Sequence, residues 1–500
     1  MATLVAAAAC DPSPAESMLT SGTTARKVHA ADFQRTLREL RKKYLQSNLE
    51  VDGEENEGNR EPPGSDHMHV YVRKRPLLSH ELRKHEFDVI TAVGKREIVI
   101  HECKMYPDMR HKYVVSHHQR FTTCYDEKVN TETIYEDAVK HLLLHAMQGG
   151  KSVCMMYGQT GSGKTYTMSG FFQFVADGLF TEIVGDVDFV VSVSAIEIAG
   201  SKCYDLIHDR SKVLVCDDGE GNTGLVGATE VEADSTNSLL EVLDNVKNLR
   251  STESTTVNHQ SSRSHLVCYI NLRRRSSRDT LGELYGQLVL LDLAGSERNE
   301  DSFYHDAARR KEAIEINKSH LALKECVRAI GREDNTGFVP YRASVLTRIL
   351  KSCLWSANSR ASVIATISPL SIDTEHTLHT LLCAGQMLED TPHVSTERVD
   401  VKEAGEGEEE RMVPIREWDN DRVRNWLCSV RKGKFQKFAD NVNSSVDGRM
   451  LIRFTHARFT QLCGGDSLAG GHLLKAFRDE VANQDKMLKA RRERNAARRK

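Results

Sequence analysis

No two of the twelve cysteines, spread from Cys10 to Cys463, form a C-x-x-C pair. That gap argues against a zinc module or a disulfide framework and favours a reducing compartment, the cytoplasm or nucleus. No stretch approaches the ~18 apolar residues that a membrane span needs, and the apolar opening MATLVAAAAC has no basic segment before it, so neither a membrane partner nor a secretory signal is expected. Excess charge is missing too: 68 basic and 71 acidic side chains leave -3, so whole-chain electrostatics name no partner. Internal repeats and a long heptad stalk are also absent.

What is present divides the 500 residues into more than one core can organise; about three domains are expected. Residues 1–25 are rich in Ala, Ser, Thr and Pro without hydrophobic period and read as disordered. Residues 26–50 are basic, with Phe33, Leu37 and Leu40 at helical spacing. Such a helix is either a solvated face or a sticky arm for an acidic surface. An acidic, Gly/Pro-punctuated linker at 51–66 precedes a central block, 67–390, of alternating strand-like and helix-like patterns, which predicts an α/β fold with a mostly parallel sheet covered by helices on both faces. A second acidic linker spans 391–413. Residues 414–484 carry Val423, Trp426, Leu427, Phe435, Phe459, Leu473 and Phe477 in short helical registers and predict a small all-α bundle. The tail, 485–500, is basic, a solvated helix end or a polyanion contact.

Within MMYGQTGSGKTYTM, Gly158 to Thr165 fits G-x-x-x-x-G-K-[ST] and follows the apolar run KSVCMMYG. Gly158, Gly161 and Gly163 let backbone amides turn inward around phosphate oxygens, where a Cβ would block the approach. Lys164 would meet the outer phosphates and Thr165 would put its hydroxyl on Mg²⁺. VNHQSSRSH at 257–265 offers hydroxyls and an arginine in a row. DLAGSER at 292–298 places an acid at a strand end, suited to Mg²⁺, followed by a glycine whose amide can follow a phosphate that comes and goes.

Together, GQTGSGKTYTM, NHQSSRSH and DLAGSER, in that order, closely resemble the kinesin motor domain. RKRP opens the similarity; INKSHLALKECVRAI, VPYRASVLTRIL and ATISPLSIDTEHTLHTL close it. The resemblance implies an ATPase coupled to microtubules, with ATP and Mg²⁺ as cofactors. It assigns Arg73, Pro76, Tyr135 and Tyr166 to the adenine, and Gly158, Gln159, Thr160, Gly161, Ser162, Gly163, Lys164 and Thr165 to the phosphates. Asn258, Ser261 and Ser262 match the first switch, with Ser262 reaching Mg²⁺ and the terminal phosphate. Asp292 and Gly295 match the sensors of Mg²⁺ and terminal phosphate; Arg263 and Glu297 match the salt bridge that closes behind ATP.

NKSHLALKECVR further resembles the filament-facing helix of the kinesin-13 branch, whose members depolymerise microtubule ends. Ile316, His320, Leu323, Val327 and Ile330 form the expected buried stripe, which leaves Lys324 and Arg328 free to meet acidic tubulin. The same resemblance adds Glu325, Arg342, Arg348 and Asp108 as microtubule contacts, and the basic segment 26–50 resembles that branch's neck. This chain departs from the branch at KMYPDMRHKY, which keeps only the acid of a Lys-Val-Asp tip. Ala199, His320 and Val345 stand where an aromatic, an apolar and a basic residue are usual. Motile transport and a low-activity microtubule-binding scaffold therefore stay open beside depolymerisation. WDNDRVRNWL, VDGRMLIRF and GGHLLKAF resemble a SAM domain, which implies self-association or a protein partner rather than nucleic acid. The expected location is the cytoplasmic cytoskeleton, with the nucleus or spindle as alternatives.

Overall fold

The computed structural model describes residues 26, 29–51, 68–108, 111–183, 189–217, 223–252, 262–275, 282–297, 307–330, 338–356, 358–388, 394–401, 414–443 and 445–497. Two units divide the chain, Met1–Val401 and Lys402–Lys500. In chain order the strands are β1 Met68–Lys74, β2 Ile90–Val93, β3 Glu97–Met105, β4 Lys112–Arg120, β5 Thr123–Tyr125, β6 Lys151–Tyr157, β7 Phe189–Ala199, β8 Lys202–Asp205, β9 Lys212–Asp217, β10 Thr223–Val226, β11 Val231–Ala233, β12 His265–Arg274, β13 Leu284–Asp292, β14 Ser359–Ile367 and β15 Ser395–Val401.

Alternation along β6 explains the architecture of the first unit. Val153, Met155 and Tyr157 enter one apolar core, while Cys154 and Met156 enter another. β13 does the same, with Val289 and Leu291 on one side and Leu288 and Leu290 on the other. A strand apolar on both faces must be covered on both. Helices Thr131–Ala138, Lys140–Met147, Lys164–Ile183 and Thr236–Thr252 supply one layer through Ile134, Leu142, Phe171 and Leu239. Helices Ala307–Ile330 and Thr374–Gly385 contribute Leu323 and Leu381 to the other. The sheet is mixed, in the order β10-β9-β8-β7-β12-β13-β6-β14-β1-β5, with β11 beside β7. From β13 to β5 all pairs are parallel, and from β13 through β12 to β10 they are antiparallel. β6 therefore ends between the parallel strands β13 and β14, and both its loop and Asp292 open at the same sheet edge.

A second sheet, β15-β4-β3-β2, carries the helix Ala30–Val51. Phe33, Leu37, Leu40 and Tyr44 repeat at intervals of four and three and are all buried in the same core as this sheet. At about 1.5–3 kcal/mol for each large apolar side chain, this stripe outweighs the charges on the opposite face. Several of those charges are themselves paired. Lys112 Nζ meets Asp32 at 2.8 Å, Arg41 Nη2 donates to the Asp88 carbonyl at 2.8 Å, and Lys43 and Tyr44 both donate to Glu397, at 2.6 and 2.9 Å. The basic helix is thus docked along its apolar face, with Arg38 and Lys42 outward. β15 lies within the stretch whose acidic composition reads as linker; STERVDV hides a period of two, and Glu397, Val399 and Val401 are its less exposed members.

The second unit holds helices Asn420–Gly433, Gly448–Ile452, His456–Leu462 and Ser467–Ala497 around Val423, Leu427, Phe435, Phe459, Leu473 and Phe477. Asp419 and Asp447 cap the first two by accepting from the amides of Arg422 and Met450. Gly448 is needed for close approach, since a Cβ there would lie 1.6 Å from the Ile415 carbonyl oxygen. The last helix continues through much of the segment read as a basic tail.

Candidate functional site

Where β6 ends, the chain turns over Gly158, whose φ is +152°; a Cβ there would lie 2.3 Å from the Thr366 carbonyl oxygen and 2.8 Å from Ser162 Oγ. Ser162 Oγ braces the loop from inside, donating to the Gln159 carbonyl and bonding Thr366 Oγ1, both at 2.7 Å. Gly161 and Gly163 also have positive φ, +77° and +104°, but the space where a Cβ would sit is open. That space is the cradle.

Lys164 and Thr165 begin the helix Lys164–Ile183, whose positive dipole end points at the cradle. Lys164 is buried, and its Nζ donates to the Gly158 and Gln159 carbonyls at 2.8 and 2.9 Å. Burial pushes its ammonium below its ordinary pKa, against the pull of Asp292 and Glu297. Thr165 Oγ1 donates to Asp292 Oδ2 at 2.6 Å, while the buried Asp292 Oδ1 has no hydrogen-bond partner among the described residues. An open cradle, a helix N-terminus, a lysine and a half-satisfied buried carboxylate beside a hydroxyl fit a nucleotide with magnesium.

Two segments approach this loop. The Gly295 amide donates to the Ser262 carbonyl at 2.7 Å and the Ser296 amide to the Gly158 carbonyl at 3.1 Å. Arg263 and Glu297, expected to pair, do not. The Glu297 carboxylate accepts from the Thr160 amide at 2.9 Å and from the Thr160 hydroxyl, whereas Arg263 Nη1 lies 3.6 Å from Glu312 Oε2. Between them a cavity of about 210 Å³ is lined by Thr160, Ser262, Arg263, Gly295, Glu297 and Asn317, among others. Each carboxylate is held by the nearer donor, and the cavity separates the two switch side chains. Asn258 and Ser261 lie outside the described residues.

Arg73 donates to Thr167 Oγ1 at 3.0 Å and Thr131 Oγ1 at 2.9 Å, and its guanidinium lies 5.4 Å from the centre of the exposed Tyr166 ring. Together with the exposed Pro76, this can serve as a platform for a base. Tyr135 is not part of it. Its ring is buried against Phe174 and Phe171, with centroids at 5.3 and 6.3 Å, and offers no open face.

Sequence reasoning missed two arginines. Arg250, buried on the helix Thr236–Thr252, donates to Asp292 Oδ2 at 2.6 Å and to the Ser264 carbonyl at 2.8 Å. Arg75 clamps Glu81 with both terminal nitrogens, at 2.8 and 2.7 Å, and donates through Nε to the Gly161 carbonyl at 2.8 Å. RKRP contains Arg75 and could have flagged it; nothing local marks Arg250.

The expected filament contacts fare unevenly. Ile316, His320, Leu323 and Val327 are buried on the helix Ala307–Ile330, the side chain of Ile330 lies outside the described ones, and Glu325 and Arg328 are exposed. Lys324 is not free: it is half-buried and donates to Cys383 Sγ at 3.1 Å. Arg342 and Arg348 both reach the Asp217 carboxylate, at 3.4 and 3.2 Å. Asp108 turns back on its own loop, accepting from the His111 amide at 3.1 Å and lying 2.5 Å from His111 Nδ1. His320, where an apolar residue was expected, packs edge-on against Tyr157 and His265, at 5.5 Å from each ring centre. Burial lowers it to about 4.

The sequence profile of the kinesin motor domain matches residues 73–389, the span that builds the cradle, both approaching segments and the long helix. The chain belongs to the kinesin motor family. Members of that family are microtubule-stimulated ATPases. Diatom spindle kinesin-1 of Cylindrotheca fusiformis is 36% identical over 339 residues, covering 66% of this chain and 53% of its own. The chain thus matches about half the length of that relative. The cradle is the segment that the sequence resemblance matched to the P-loop, and Ser262–Arg263 and Asp292–Glu297 lie in the segments it matched to the two switches.

Proposed function

We propose that this kinesin is an ATP-driven microtubule motor of the kinesin-13 type, which binds filament ends and promotes their depolymerisation. One observation carries the mechanical part: Arg263 of the first switch is ion-paired with Glu312 on the same helix that exposes Glu325 and Arg328. Both partners are about one-third exposed, so the bridge is worth roughly 0–1 kcal/mol and is cheap to exchange. Glu297 is the exchange partner, across the cavity. A terminal phosphate in the cradle would draw Gly295 toward it and Glu297 away from Thr160; Arg263 then leaves Glu312, and the long helix is released from the switch. Lys164 and the amides at Gly161 and Gly163 would hold the phosphates. Thr165, Ser262 and Asp292 would hold Mg²⁺, which when bound would supply positive charge against the charge that develops on the phosphates.

Release of tubulin from stabilised microtubules tests this reading. Micromolar protein with ATP should shorten filaments and Lys164→Ala should not; absence of release by the wild type removes the depolymerase claim. Gliding of filaments over a coated surface would instead indicate transport. A second reading, a low-activity microtubule-binding scaffold, is favoured by the engaged state of Lys324, Arg342, Arg348 and Asp108, since four candidate contacts already have partners. On that reading the second unit, SAM-like in its motifs, recruits a protein partner or a second copy. ATPase equal to that of Lys164→Ala, with filament binding retained, would establish it. The spindle named in the diatom relative makes spindle microtubules the first place to look.

A further inference from the structure

Cys383 differs from the other described thiols in what surrounds it. It sits on the helix Thr374–Gly385, where Lys324 Nζ from the long helix donates to its sulfur at 3.1 Å. One turn back on its own helix, the His379 ring places its nitrogens 3.7 and 3.8 Å from the same atom. Tyr157, at the end of β6, shares its apolar core with Cys383, and Ser296 Oγ bonds Thr380 Oγ1 at 3.0 Å. The thiol therefore stands where the strand before the P-loop, the second switch and the long helix meet.

Burial alone would raise this thiol; hydrogen bonds from His379 and Lys324, with the Lys324 charge, bring it down to about 7. Elsewhere burial prevails: Cys268 is pushed up to about 12 and Cys203, Cys326 and Cys353 to about 11. A thiolate, not a thiol, is the nucleophile. Cys383 keeps 4% of its surface, which suits a reagent little larger than water.

We propose that Cys383 is a modification site for peroxides, a thiolate paired with the Lys324 ammonium and flanked by His379. The sulfur attacks one peroxide oxygen; an S–O bond forms as the O–O bond breaks, and sulfur loses the two electrons that the peroxide gains. The departing hydroxide takes up a proton from solvent and leaves as water, so Cys383 becomes a sulfenic acid, which a thiol can reverse. The product is neutral. Lys324 loses its counter-charge and is free to turn outward from the long helix. The site links redox state to the exposure of one cation on the face proposed to meet the filament; its reactivity does not depend on that proposal.

The test is exposure of the full chain to hydrogen peroxide, trapping of sulfenic acid with dimedone and quantification by peptide mass spectrometry across pH. Cys383 is expected to be labelled about tenfold or more faster than Cys154 or Cys268, with a midpoint near pH 7. In Lys324→Met the midpoint should rise by about one pH unit or more, with about tenfold slower labelling at neutral pH, and Lys324→Arg should restore the rate. Circular dichroism of each variant shows that the fold is kept. Labelling of Cys383 no faster than of Cys154, or a midpoint unmoved in a folded Lys324→Met protein, overturns the proposal.

Discussion

Replacing Arg250 by methionine removes a guanidinium from the most buried ion pair at the nucleotide site. Its side chain is 3% exposed, Asp292's is 1% exposed, and they meet at 2.6 Å. An exposed pair of this kind would contribute about 0–1 kcal/mol. Here the loss strands a carboxylate away from water, with the Thr165 hydroxyl the one donor left to it among the described residues, and breaking such a pair costs about 3–5 kcal/mol. That is a large part of the ~5–15 kcal/mol by which domains are stable. Methionine keeps the stem's volume, so the cost is electrostatic rather than a cavity. Urea denaturation followed by circular dichroism measures it, and repeating it with Mg²⁺ and ADP adds a second readout. A divalent cation at Asp292 would supply the charge that the arginine gave, so at one shared Mg-ADP concentration the variant should be stabilised more than the wild type, whose own gain is on the order of 2.7 kcal/mol at a hundredfold excess over its Kd. A loss below about 1 kcal/mol would refute the reasoning, because it would mean that the pair behaves as a solvated one.

Lys164→Ala should lower ATP turnover at least about 100-fold while leaving the fold intact, measured by phosphate release; unchanged turnover contradicts the assigned role. Phe33→Ala removes a fully buried ring from the docked basic helix and should cost about 3–5 kcal/mol in urea denaturation, whereas a cost under 1 kcal/mol would mean that the helix is not held. His320 sets a pH dependence. Its ring nitrogens meet no partner at hydrogen-bond geometry among the described residues, although the Ala294 backbone is near, and burial lowers it from 6.5 to about 4. Between those values the unfolded chain binds the proton and the folded chain does not, so stability falls as pH drops from 6.5 toward 4. His320→Leu should flatten this slope by up to about 1.4 kcal/mol per pH unit; parallel slopes for the two proteins would contradict it.

The parts legible in the sequence were those whose physics is local. Gly158 to Thr165 are contiguous, so the geometry that cradles phosphate is written in eight adjacent residues, and the apolar run before them announces a doubly buried strand. Periodicity likewise found the stripe of Phe33, Leu37 and Leu40 and that of Ile316, His320, Leu323 and Val327. What it could not supply was the neighbour. Lys324 lies off the apolar stripe, as expected, yet Cys383 arrives from 59 positions away to engage it. Arg250 reaches Asp292 across 42 positions, and no local pattern marks it as part of the site. Tyr135 was assigned to the base by resemblance, but the packing of Phe171 and Phe174 decides its surroundings. Composition misled at residues 395–401, where a strand's alternation is masked by charge.

On the proposed mechanism, Arg263 and Glu297 exchange their present partners for each other when a terminal phosphate enters, and so couple the cradle to the long helix. Phosphate release by the full chain, with and without microtubules, tests this most directly when wild type, Arg263→Ala and Glu297→Ala are compared. Filament-stimulated turnover is expected in the wild type and its loss in both variants, with nucleotide binding retained. Stimulation that survives in either folded variant would contradict it.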